Sequence, residues 1–249
     1  MKDRYYLIFM VFALILFSSL INFGCKPDQE PQEAAEEAQV TEISGYRVVP
    51  NIKERLAQYA PTEMDYDGSL LSDEQKSVLE LLVMAAKEID NIFWKQASHR
   101  GLKILQDFEN ADHPAAKDYI EYLKINFGPY DRLDENKPFI GTEPKPLGAG
   151  FYPPDMIKNS FEQYVDEHPE MKGQLESTYT IIRHQDSGLA AVPYHEAYQE
   201  ELENAARYLK EAAEITQDEM FRDYLIQKAE DLVSGEWYKS DSMWIDLKG

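Results

Sequence analysis

The chain has 249 residues, 46 of them acidic and 25 basic, for a formal net charge of −21. So negative a surface repels phosphate backbones, which excludes a nucleic-acid partner. One cysteine excludes any intrachain disulfide, so a single medium-sized domain must be held by packing alone.

Lys2 and Arg4 come first, then an uncharged run from Tyr5 to Phe23, then Gly24 and Cys25. Basic region, apolar region, small residue and cysteine, in that order, read as a bacterial lipoprotein signal over residues 1–24, with the lipid on Cys25. Asn22 and Phe23 stand where a Leu and a small residue are usual. The run has 19 residues, close to the roughly 20 that span a bilayer, so an uncleaved anchor is the competing reading. The expected location is the cell envelope, on the periplasmic or extracellular face, with the membrane as a partner through the lipid. Residues 25–44 are acidic and poor in large apolar groups, which predicts a flexible tether.

A helical domain is expected over residues 45–249. Val48 and Val49 suggest an extended entry, with a short helix after Pro50. Ser72 and Gln75 form a capping-box pattern, and Val78, Leu82, Ala85, Ile89, Ile92 and Phe93 recur at helical spacing to about Ala97. Such a stripe is ordinary core by default. A short helix is expected from Gly101 to Phe108, then another capped by Asp112 with Pro114 in its first turn. Residues Asn126 to Pro154 hold six prolines and four glycines among aromatic side chains. That composition predicts a long ordered loop docked on the body, and long loops are often functional. A helix is expected near Ser160–Glu167. A β-hairpin over about 178–192 turns at Asp186-Ser187-Gly188. Two long helices close the chain, Tyr194 to Ile215 and one capped by Asp218 that stops at Gly235. The fold class is therefore mainly α: a helical lobe with one small hairpin and a long Pro/Gly loop.

Chemistry is sparse. His195-Glu196-Ala197-Tyr198-Gln199 opens like a helical zinc motif, but Gln199 replaces the second histidine and one helical histidine cannot hold the metal. No phosphate-binding glycine loop and no serine elbow is present. No catalytic or metal-ligating residue is assigned, and no cofactor is expected in this chain. Asp131, Asp134 and Glu135 lie beside Arg132 in the aromatic loop, either as a local salt bridge or as part of a binding wall.

Four strings in series resemble one family: Asn126–Leu133, Gly148–Met156, Val192–Tyr194 leading into Glu196–Tyr198, and Ser240–Asp246. Together they are similar to the N-terminal half of bacterial dipeptidyl peptidase III-like zinc peptidases of family M49, from about Leu71 onward. The resemblance implies a two-lobed hydrolase that removes dipeptides from peptide N-termini. Its zinc motif, His-Glu-x-x-x-His, has no counterpart here, so zinc is expected only in a full-length relative. The stop after Trp244–Gly249, inside a motif, suggests a fragment or split copy. The expected partner is then a missing C-terminal zinc lobe, or a peptide ligand. Tyr130, Asp131 and Arg132 are the candidate wall of the substrate cleft. A non-catalytic lipoprotein that binds a peptide or protein is the alternative.

Overall fold

The structure, a computed structural model, describes residues 41–186 and 188–247. Cys25, where lipidation is expected, and the residues expected as signal (1–24) and as tether up to residue 40 lie outside the described residues. Among the described residues no helix is long and apolar enough to cross a membrane.

Ordered structure begins inside the range expected as tether. Strand β1 (Glu42–Ile43) pairs antiparallel with β2 (Tyr46–Arg47), and Ile43 is buried. Ser44 and Gly45 both take positive φ to make the turn. Helix α1 (Ile52–Leu56) follows. Helix α2 (Asp73–Ala97) begins at the expected box: the Ser72 hydroxyl accepts from Gln75 N at 3.1 Å, and Gln75 Oε1 accepts from Ser72 N at 2.9 Å. Helices α3 (Gly101–Glu109) and α4 (Ala116–Asn126) pack together under the N-terminal strands, burying Phe108, Tyr119, Tyr122 and Leu123. The cap expected at Asp112 is not used. Instead His113 Nδ1, inside the turn, accepts from Ala115 N at 3.1 Å, and Ala116 opens the helix.

The Pro/Gly segment holds β3 (Tyr130–Asp131) paired with β4 (Lys137–Pro138), and Phe139 is fully buried against Tyr122. Helices α5 (Lys158–Glu167) and α6 (Lys172–Leu175) close a small core against the hairpin β5 (Thr180–Gln185) and β6 (Gly188–Pro193). The hairpin is in the expected place, with Ile182 opposite Ala191.

The expected continuous helix from Tyr194 is broken. Helix α7 (Tyr194–Ala197) ends at Tyr198, whose φ/ψ of −126°/31° leaves the helical region, and α8 (Gln199–Ile215) starts anew. The break coincides with burial of the Tyr198 ring. Asp218 caps α9 (Glu219–Ser234) by accepting from Phe221 N at 3.0 Å, and Gly235 at φ 77° ends it. A further helix, α10 (Tyr238–Asp246), was not expected from the sequence. Helix α8 lies between α2 and α9, and its Ala205, Ala206, Ala212 and Ala213 let both neighbours approach closely.

Candidate functional site

The aromatic loop starts from a side-chain staple. Asn126 is buried, donates to the Tyr122 carbonyl at 3.0 Å and accepts from Arg132 N at 3.0 Å. Phe127 then takes the left-handed conformation, φ 53°, which turns the chain off α4. Asp131 is 1% exposed; one carboxylate oxygen pairs with the Arg55 guanidinium of α1 and the other accepts from Leu133 N at 2.8 Å. Asp134 lies 3.5 Å from the same guanidinium. The Tyr122 hydroxyl is buried nearby without a hydrogen bond of full geometry; burial first, then Asp131, push its pKa well up. Tyr130 is also buried, which raises its phenol. Arg132 is exposed, its guanidinium 6.0 Å from the Phe93 ring and 5.8 Å from the Phe127 ring. The three residues singled out therefore diverge. Asp131 pins the loop to α1, Tyr130 is interior, and only Arg132 faces solvent, at the C-terminal part of α2.

Two concave surfaces adjoin that part of α2. The first is an almost wholly apolar groove of about 490 Å³. Its floor is Leu202, Ala205 and Leu209 of α8; its walls are Leu82, Ala86, Ile89 and Phe93 of α2 and Leu232 and Lys228 of α9. Tyr194, Tyr198 and Trp237 also line it. The second is a recess of about 360 Å³ that includes Lys95, His99, Arg183 and Tyr198. Lys95 pairs with Glu201. Arg183 donates to the carbonyls of Ile182 at 2.8 Å and Gly150 at 3.1 Å, and burial lowers its pKa. Tyr198 is shared by both surfaces; its hydroxyl is buried without a hydrogen bond of full geometry, and burial raises its pKa, offset only in part by Gln96 and Arg183.

Gly150 makes this junction. Its N–H donates to the Gln96 carbonyl at 2.8 Å, and a Cβ there would overlap the Lys95 carbonyl oxygen. Only glycine lets the loop backbone lie against the end of α2. His99 Nε2 contacts the Tyr152 carbonyl at 2.8 Å, and Ile182 N donates to the Phe151 carbonyl at 2.7 Å, so the loop bridges α2 and the hairpin.

Three of the four strings in the sequence meet here: Phe127 stacks edge-on against Phe93 at 4.6 Å, Gly150 docks on Gln96, and Tyr194 lines the groove. The sequence marked those strings, Tyr198 among them, but read Phe93 only as core, because a helical apolar stripe looks the same whether or not a neighbour covers it. His195 does not build a metal centre. Its Nε2 is 3.9 Å from Glu196, its ring abuts Gly235, and among the described residues no group of three His, Cys, Asp or Glu converges.

No protein-family model matches the chain. Its structure matches that of dipeptidyl peptidase III from Caldithrix abyssi with a TM-score of 0.76 and 44% identity, over 79% of this chain and 37% of that one. Dipeptidyl-peptidase III from Corallococcus sp. strain EGB matches with a TM-score of 0.76 and 35% identity, over 80% of this chain and 38% of that one. The chain has a dipeptidyl peptidase III-like fold. Among curated proteins, this dipeptidyl peptidase III-like chain is 27% identical to Nudix hydrolase 3 of Arabidopsis thaliana, over 79% of its own length and 32% of that protein. It thus spans about two fifths of the two solved chains and a third of the curated relative.

Proposed function

We propose that this chain supplies the non-metal helical part of a dipeptidyl peptidase III-like hydrolase and is inactive alone. What supports the reading is 44% identity to a dipeptidyl peptidase III at a TM-score of 0.76, over 37% of that protein. The zinc that such a family implies does not fit the residues described. His195 and Glu196 sit side by side on a four-residue helix, and no third ligand reaches them. No catalytic step is therefore assigned to this chain. Its recess instead gives a wall against which a zinc-bearing part, in the same polypeptide or in a partner, closes on a peptide. Lys95, at the edge of the recess beside Glu201, is the group that would meet a peptide carboxylate there.

Lipid on Cys25, holding the chain at the cell envelope, belongs to the same proposal; it is supported by the order of basic, apolar and small residues before Cys25. Purified chain with added zinc is expected to release no dipeptide from peptide N-termini. Chelator-sensitive release by the chain alone would falsify the reading. Labelled fatty acid is expected on the chain and lost in Cys25→Ser; equal labelling of both removes the anchor from the proposal.

A further inference from the structure

The helices α2, α8 and α9 form three sides of a bundle whose fourth side is open. Helix α8 packs on both neighbours, and the groove lies over Leu202, Ala205 and Leu209 with α2 and α9 as its banks. Along α2 the groove takes Leu82, Ala85, Ala86, Ile89, Ile92 and Phe93, spaced three and four apart as a partner helix would require. Ile89 and Phe93 are 41% and 42% exposed, and the stripe continues outward to Val83 at 46%. A contiguous apolar face on so charged a chain marks a contact surface. Bundles of this kind bury such a face under a fourth helix.

We propose that the groove seats an amphipathic helix from the part of the dipeptidyl peptidase III-like fold that lies outside the portion matched here. The inference rests on the function proposed above. Two observations select this occupant. The matched portion is only 37% of the Caldithrix abyssi chain, so most of that polypeptide lies outside it and can supply such a helix. A second copy of this chain is disfavoured, because two surfaces of formal charge −21 repel each other. The seated helix presents apolar residues at i, i+3, i+4 and i+7 to Ile89, Phe93, Leu209 and Leu232.

The test compares the full chain with a hybrid in which this chain replaces the matched portion of the Caldithrix abyssi protein. Both carry Cys25→Ser, and each receives Ile89→Cys in the groove or, as a control, Met64→Cys, where Met64 is 92% exposed. Maleimide labelling of the isolated chain is expected to be fast at both positions. In the hybrid, position 89 is expected to slow at least tenfold while position 64 is unchanged. Equal rates at position 89 in chain and hybrid overturn the inference, as does a hybrid without a single cooperative melt. Concentration-dependent protection of position 89 in the isolated chain overturns it too, since the occupant is then a second copy. Dipeptide release by the hybrid is read separately: protection without release sinks the proposed function and leaves the groove assignment standing.

Discussion

At Asp131 a carboxylate leaves water to meet the Arg55 guanidinium, while the next residue, Arg132, stays exposed over the Phe93 and Phe127 rings. Removing one partner of a buried pair strands the other charge, at about 3–5 kcal/mol. Losing an exposed cation over a ring costs about 0.5–1 kcal/mol. Asp131→Ala is therefore expected to destabilise the chain by about 3 kcal/mol or more, and Arg132→Ala by less than about 1 kcal/mol, in urea unfolding. Similar losses for both would mean that Arg55 does not hold the loop. Sequence spacing drew these residues into one cluster because it sees only neighbours. Arg55 is 76 positions away from Asp131, and nothing local announces the pair. Gly150 shows the opposite limit: its place in a Pro/Gly loop was readable, but the helix end it touches was not.

The elements found from sequence are those whose ends are made locally. Ser72 with Gln75 and Asp218 with the Phe221 amide are contacts three residues apart, and both helices start where the pattern puts them. Helix α10 escaped because its N-terminal support comes from another helix. Asp231, buried in α9, accepts from Ser240 N at 2.8 Å, nine residues on. Burial works against the Asp231 charge, but Ser240, Gln227 and Lys228 outweigh it and hold the carboxyl below the usual carboxylate range. With the folded value depressed, this group adds stability above the unfolded value of about 3.9, and that stability is lost as pH falls through the folded value. Asp231→Asn is therefore expected to weaken the chain at pH 7 and to flatten the acid limb of its stability curve below about pH 4. Urea midpoints at pH 7, 4 and 3 for both proteins decide it; parallel curves would mean that Asp231 does not support α10 through its charge.

On the scale of the whole molecule, the helical class and the order of elements were readable because apolar periodicity and caps are local. The open groove was not, since the stripe on α2 reports only that something apolar lies opposite it. Net charge acts at the same scale and sets a competition. Surface pairs such as Lys103 with Asp107 and Arg207 with Glu211 stabilise the fold only slightly and weaken with salt. The excess of 46 acidic over 25 basic residues repels itself and relaxes with salt. Raising ionic strength from about 0.01 M to about 0.15 M shortens the screening length from about 30 Å to about 8 Å. That removes long-range repulsion across the body and leaves contact pairs largely in place. The repulsive term therefore loses more, and the melting temperature is expected to rise, by about 2–4 °C for roughly 1 kcal/mol gained. Calorimetry in sodium chloride reads the sign directly. A fall in melting temperature would mean that the local pairs, and not the uneven charge, set the electrostatics of this lobe.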